Sequence, residues 1–207
     1  MFEIIAVTSR ALCRGDDFPG RIGAIAASGV EAVILREKDM PPEEYRRLAV
    51  QAAALCRLSG TEFIAHTFFD EAVSIGCKKI HLPLPLLEKI KESREVPRDI
   101  ITGTSVHSVE DARKAASLGA GYLIAGHVFE TRSKKGLEGR GLHFLSEICR
   151  QSPVPVYAIG GISEHNIASV RKTGAAGACL MSSFMTAVDP KNYVAELRRN
   201  ALDCGPA

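Results

Sequence analysis

The chain has 207 residues, 46% of them hydrophobic and 24% charged, a balance that favours one globular domain spanning residues 1–207. The net charge is only +2, the cations are scattered and Trp is absent, so composition gives no reason to expect nucleic acid as a partner. The apolar run at residues 4–7 is too short for a signal peptide or a membrane span, which favours a cytoplasmic protein without a membrane partner.

Short β-branched runs alternate with longer helical patterns along the chain. Strands are predicted at residues 2–7, 32–35, 62–65, 79–82, 100–105, 122–125, 154–159 and 177–181. Helices are predicted at residues 20–28, 42–58, 69–75, 84–93, 109–118, 142–150, 164–172 and 191–198. Strands that alternate with helices in this way predict an α/β fold, a single-domain (β/α)8 TIM barrel.

Glycine follows several predicted helices, as at Gly29, Gly119 and Gly174, where it supplies the positive φ of a helix C-terminus. The alternative architecture is a doubly wound sheet, which needs a glycine-rich phosphate loop after its first strand. That position reads Thr8-Ser9-Arg10, so the barrel is preferred.

The cysteines are dispersed and form no C-x-x-C pair, which favours reduced structural thiols over disulfides or a metal site. They are Cys13, Cys56, Cys77, Cys149, Cys179 and Cys204. No metal is expected.

The segment between the sixth strand and the next helix, residues 126–141, is rich in glycine and in cations. A polar, basic loop behind a buried strand predicts a lid over an anionic substrate. His127 lies at its root, where the scaffold is rigid. Lys134 and Lys135 lie in the lid, where a cation can also serve solubility alone.

The turns after the seventh and eighth strands predict a phosphate site, as is usual in barrel enzymes. Backbone N–H groups can approach an anion closely at Gly160 and Gly161, and Ser163 is expected to cap the next helix. Met181 and Ser182 add backbone donors and a hydroxyl from the adjacent turn. The competing explanation is a tight turn that needs glycine for steric reasons.

Two cations follow the second strand. Alternation aims Arg36 and Lys38 to one side, while Glu37 is expected to pair with a neighbour. The cations are interpreted as partners of a second anionic group, with a solvated strand end as the alternative.

Six histidines compete for an acid–base role, because imidazole exchanges protons near neutral pH. His143 and His165 fall in predicted helices and are expected at the surface, and His81 is expected to be a satisfied core group. His66 and His107 lie at strand ends and remain candidates. His127 has the best position, since it follows a buried strand and precedes the lid.

The motifs LREK, SVHS, GHVFET, KKGLEGRG, AIGGI and MSS span most of the chain. Together they resemble the TenI-type thiazole tautomerases, relatives of thiamine phosphate synthase. GHVFET with KKGLEGRG is the specific part, whereas AIGGI alone indicates a barrel phosphate site.

The resemblance implies a cofactor-free isomerase of thiamine biosynthesis, which converts a carboxythiazole phosphate with an exocyclic double bond to its aromatic tautomer. It implies that His127 is the acid–base residue and that a phosphate is held by Gly160, Gly161, Met181 and Ser182. Arg36, Lys38, Ser105 and either Lys134 or Lys135 match positions that line the pocket of the family.

Thiamine phosphate synthase itself is the alternative function. The synthase needs magnesium and typically carries Asn-Asp after strand three, an acidic residue after strand four and proline at the position of His127. This chain instead reads His66-Thr67 and Pro83-Leu84-Pro85, which removes the oxygen ligands that magnesium prefers.

A third hypothesis is a non-catalytic regulator that senses a thiazole phosphate, although the sequence has no helix-turn-helix or basic stripe. Short barrels often bury apolar helix faces in dimers, so a homodimer is one assembly that the sequence allows. The role of His66, the choice between the two lid lysines and closure of the lid stay open.

Overall fold

The computed structural model describes residues 1–13, 17–131 and 136–202. Eight parallel strands pair in chain order, and β1 pairs with β8 to close a barrel. The strands are β1 (Glu3–Val7), β2 (Ala32–Leu35), β3 (Glu62–His66), β4 (Lys79–Pro83), β5 (Ile101–Val106), β6 (Tyr122–Gly126), β7 (Val156–Ile159) and β8 (Gly177–Leu180). The predicted (β/α)8 TIM barrel is confirmed.

Helices follow the strands and cover the outside of the barrel. They are α1 (Phe18–Ala26), α2 (Pro42–Ser59), α3 (Phe69–Ser74), α4 (Leu84–Ser93), α5 (Val109–Ser117), α6 (Gly141–Gln151), α7 (Ile167–Lys172), α8 (Ser182–Thr186) and α9 (Pro190–Leu202). Within the three described ranges, no helix has both the length and the apolarity that crossing a membrane requires.

The core has two layers because successive strand residues face opposite sides of the sheet. On β4, Ile80 and Leu82 join the large apolar layer between strands and helices. His81 lies between them in sequence and is buried beside Tyr122, which belongs to the smaller layer inside the barrel. A Cβ on Gly103 would lie 2.0 Å from the Tyr122 ring, so glycine makes room for that ring.

Two helices begin more than one residue away from the predicted start. Helix α1 begins at Phe18 because the Asp17 side chain accepts a hydrogen bond from Gly20 N at 2.7 Å. Helix α7 begins only at Ile167, since residues before it form a turn. The predicted helix starts at residue 164 because the sequence pattern did not distinguish this turn from the helix.

The segment after β8 contains two helices where one was predicted. The additional helix, α8, has five residues, which is too short to show a helical period. It places Ser182 and Ser183 in its first turn, at the same end of the barrel as the turn after β7.

Cys56, Cys77, Cys149 and Cys179 are free thiols. Burial raises the pKa of the Cys56 thiol to about 11, so this group stays protonated at neutral pH. Cys204 lies outside the described residues.

Candidate active site

A cavity of about 810 Å³ lies at the carboxyl ends of the strands, the end at which barrel enzymes carry their active sites. Its size suits a small phosphorylated ligand. Eight of the predicted site residues line it: Arg36, Lys38, Ser105, His127, Gly160, Gly161, Met181 and Ser182. The other two, Lys134 and Lys135, lie outside the described residues.

The turn after β7 packs tightly against the chain that follows β6. Gly160 and Gly161 have φ angles of +102° and +67°, which favour glycine. A Cβ on Gly160 would lie 2.3 Å from the Cβ of His127, and one on Gly161 would lie 2.4 Å from Glu130 O. Steric demands therefore account for both glycines, and their place in the cavity wall is a second property of the same turn.

Asn166 holds this turn in shape. Its Nδ2 donates to Gly161 O at 2.9 Å, and its Oδ1 accepts from Ser163 N at 2.9 Å. The expectation that Ser163 caps the helix was wrong, because α7 begins four residues later with Asn166 in the capping position. The Ser163 hydroxyl instead accepts a hydrogen bond from His165 N at 3.3 Å, within the turn.

His127 lies in the cavity wall with only 5% of its surface exposed. Its Nε2 lies 3.3 Å from Leu137 O. A carbonyl oxygen can only accept, so Nε2 carries the proton in this contact. Nδ1 is buried and has no hydrogen-bond partner among the described residues. A neutral His127 ring in this arrangement has its lone pair on Nδ1, with one nitrogen able to give a proton and the other to take one.

Backbone hydrogen bonds fix both ends of the segment that carries His127. Val128 N donates to Ile159 O at 2.9 Å, which continues the pairing of β6 with β7. Arg140 N donates to His127 O at 3.0 Å, which brings the two ends of the predicted lid together. The middle of that segment, residues 132–135, lies outside the described residues.

The two cations after β2 reach the cavity as alternation predicted. Glu37, between them, is buried, and its carboxylate accepts hydrogen bonds from Thr8 Oγ1 at 2.7 Å and from Arg10 N at 3.0 Å. Burial raises the pKa of the Glu37 carboxyl even though these bonds oppose the change. Arg36 and Lys38 line the cavity.

His66 extends the site onto β3. Its Nδ1 lies 2.6 Å from Thr67 Oγ1, and its ring stacks on the His81 ring at a centroid distance of 5.4 Å. Burial, helped by Arg36 and Lys38, lowers the His66 pKa to about 3, so the imidazole is neutral at pH 7.

His81 was expected to be a satisfied core group, and this is correct for one nitrogen only. Its Nε2 lies 2.8 Å from Ser105 Oγ, whereas Nδ1 is buried without a hydrogen-bond partner in the described part of the chain. Burial lowers the His81 pKa well below its ordinary value.

Asp111 lines the cavity but was missed by sequence reasoning. Its Oδ2 accepts from His107 N at 2.8 Å, and its own N donates to Ser108 Oγ at 2.9 Å. The signal was present as Ser-x-x-Asp, a capping pattern at the start of α5. His107 also lines the cavity, with Nδ1 2.6 Å from Gly126 O.

The residues of this cavity do not fit a magnesium ion. Mg²⁺ prefers carboxylate oxygens, and Asp111 is the one carboxylate in the described lining. The positions after β3 and β4 present His66, Thr67 and Pro83 instead. Among the described residues, no three His, Cys, Asp or Glu side chains are arranged to hold a metal.

Comparison with known proteins gives relatives named thiamine-phosphate synthase. The one from Pyrococcus horikoshii is 34% identical over 171 residues, covering 83% of this chain and 82% of the relative. The one from Fusobacterium nucleatum is 29% identical over 199 residues, covering 96% of each. These names agree better with the synthase alternative than with the tautomerase expectation.

A solved structure supports the same relationship. Thiamine phosphate pyrophosphorylase from Pyrococcus furiosus superposes with a TM-score of 0.81 at 28% identity, over 96% of this chain and 95% of that one. The family model described as thiamine monophosphate synthase (TMP-TENI) matches residues 4–184. The chain therefore belongs to the thiamine monophosphate synthase family, a family of enzymes of thiamine biosynthesis.

Proposed function

We propose that this protein is a thiazole tautomerase that converts a carboxythiazole phosphate with an exocyclic double bond to the aromatic thiazole carboxylate phosphate. One observation carries the proposal: His127, in the cavity wall, has one nitrogen in contact with a carbonyl and one without a partner among the described residues. Such an imidazole can serve as general base and then as general acid without a metal.

The reaction moves one proton and leaves the composition unchanged. His127 takes the proton from the ring carbon that bears the carboxylate. The electrons of that C–H bond form a ring double bond, and those of the exocyclic double bond take up a proton at the exocyclic carbon, delivered by the same imidazolium. Because Nδ1 is enclosed, the imidazole ring must turn for the substrate to reach it, and the contact of Nε2 with Leu137 O is then lost.

In this proposal the two anionic groups of the substrate occupy separate parts of the cavity. The phosphate would lie between the turns after β7 and β8, against Gly160, Gly161 and Ser182. The carboxylate would lie nearer to Arg36, whose positive charge opposes the negative charge that develops during deprotonation. Lys134 and Lys135 remain candidates for a further contact from the lid.

Thiamine phosphate synthase is the second candidate, and the names of the relatives favour it. That reaction joins a pyrimidine pyrophosphate to a thiazole phosphate and would use the same phosphate turn. The scarcity of carboxylates in the described cavity lining is the observation against it.

Two assays on the same preparation distinguish the candidates. In the first, the non-aromatic thiazole phosphate is followed by ultraviolet absorbance and NMR in the presence of EDTA, and we expect the protein to accelerate aromatisation. In the second, thiazole phosphate and pyrimidine pyrophosphate are supplied with Mg²⁺, and we expect no thiamine phosphate. Turnover in the second assay alone would establish the synthase and reject the tautomerase.

A further inference from the structure

Ser105 lies in the cavity wall directly beside a buried histidine. On β5, Gly103 pairs with His81 of β4, and Ser105 pairs with Pro83. This register brings His81 Nε2 to 2.8 Å from Ser105 Oγ. His81 is 1% exposed and does not line the cavity, so it can affect a ligand only through neighbours that do, and Ser105 is the one that it hydrogen-bonds.

The surroundings of His81 decide which of its nitrogens carries the proton. If Nδ1 carried it, a donor would be buried without an acceptor among the described residues, which is rare in proteins. If Nε2 carries it, that N–H donates to Ser105 Oγ and Nδ1 keeps only a lone pair. The second arrangement costs less, so His81 donates to Ser105.

This direction of the hydrogen bond sets what Ser105 can offer. Its oxygen accepts from His81, and its own hydroxyl proton is then available for an acceptor in the cavity. A hydroxyl with a fixed partner on one side loses less rotational freedom when it binds a second group on the other.

The position of Ser105 indicates which acceptor it meets. The turns proposed to hold phosphate follow β7 and β8, whereas Ser105 is on β5, three strands from β8 around the barrel. A ligand held by its phosphate at those turns would have its other anionic group against another part of the wall, which both Ser105 and Arg36 line.

We propose that His81 is a positioning residue that fixes the Ser105 hydroxyl as a hydrogen-bond donor to the carboxylate of the bound thiazole. This inference rests on the proposed function for the identity of the ligand. It makes His81 a determinant of selectivity for carboxylated over uncarboxylated thiazole phosphates.

Long-range ¹H–¹⁵N NMR of the histidine-labelled wild-type protein tests the first step without any substitution. We expect His81 to carry its proton on Nε2, with Nδ1 unprotonated, at neutral pH. A proton found on Nδ1 would overturn the inference, because the Ser105 hydroxyl would then donate to His81 instead of to the ligand.

Calorimetric binding of two ligands tests the second step. These are the aromatic thiazole carboxylate phosphate and the same thiazole phosphate without its carboxylate. Ser105→Ala and His81→Phe should each raise the Kd of the carboxylate on the order of 10-fold and leave the Kd of the other ligand nearly unchanged. His81→Gln, whose amide can donate near the position of Nε2, should restore most of the lost affinity.

The double variant Ser105→Ala with His81→Phe should bind no more weakly than Ser105→Ala alone, because His81 acts through Ser105. Additive losses, equal losses for both ligands, or no recovery in His81→Gln would overturn the inference. Thermal denaturation checks that each variant is folded, and the NMR result stands if His81→Phe is not.

The binding assay needs no turnover, so the two proposals can fail separately. Selective binding without aromatisation removes the tautomerase and leaves the role of His81. Aromatisation with a Kd that does not respond to Ser105→Ala removes the role of His81 and leaves the tautomerase. A wild-type protein that binds neither thiazole rejects both.

Discussion

The two sides of the cavity are built in different ways. On the side of β7 and β8, the backbone side, the described wall has no charged side chain, and its shape depends on Gly160, Gly161 and the turn that Asn166 supports. On the side of β2 to β5, the side-chain side, the wall includes charged and polar side chains, among them Arg36 and His66, over a buried layer that contains His81.

The two sides therefore recognise a ligand by different means. The backbone side depends on shape, because a single Cβ would collide with the chain after β6. Ligand binding on the side-chain side depends on charge and protonation, because Arg36 is charged whereas burial keeps the imidazoles of His66 and His81 neutral. His127, after β6, lies where the two sides meet.

Replacing His127 should have the largest effect, since it removes the group proposed to transfer the proton. His127→Gln should lower kcat for aromatisation by roughly 10²–10⁴-fold, while the Kd of the aromatic product changes little. The matched control is His143→Gln, which changes an exposed histidine of α6. Full activity in His127→Gln would reject the assignment of His127 as the group that transfers the proton.

One added methyl group in the turn after β7 tests whether the backbone side depends on shape. Gly161→Ala should lower the free energy of unfolding by about 2 kcal/mol, and it should weaken phosphate binding, because the added Cβ would meet Glu130 O and Phe129. Gly29→Ala is the control, since its φ is also positive, at +93°, but its Cβ would meet nothing within 4 Å. Urea unfolding and phosphate titration measure both effects; equal losses in the two variants would mean that close packing at Gly161 has no effect.

The side-chain side can be tested by removing charge. Arg36→Gln should raise the Kd of the thiazole carboxylate phosphate by about 10-fold and reduce the salt dependence of binding. Lys38→Gln is the control and should cost less, because Lys38 is exposed whereas Arg36 is half-buried. A larger loss in Lys38→Gln than in Arg36→Gln would contradict this ranking.

The backbone side was the easier one to predict from sequence. Paired glycines after a β-branched run are a local signal in the sequence. The barrel was predicted in the same way, from eight β-branched runs that alternate with helical patterns. The contact between His81 and Ser105 was not predictable, because it depends on the register of β4 against β5. Helix α8 and the turn at Ser163 were missed for a different reason. Both segments are too short for a helical or strand period to show in the sequence.

The smallest effect we predict is on acid stability, and it concerns the neutral imidazole of His66. Its pKa is about 3 in the folded protein against an ordinary value of 6.5, so between these values the unfolded chain binds more protons. Unfolding is therefore favoured as the pH falls below about 6.5, and His81, whose pKa is also lowered, acts in the same direction.

His66→Asn removes one of these two groups and keeps a side chain able to bond Thr67. Between pH 7 and pH 5.5 its free energy of unfolding should fall by about 1 kcal/mol less than that of the wild type. Urea denaturation at a series of pH values measures the difference, with His143→Gln as the exposed control. Parallel curves for wild type and His66→Asn would mean that His66 is not kept neutral by burial, and His81 would then be the buried imidazole that supports the contrast between the two sides of the cavity.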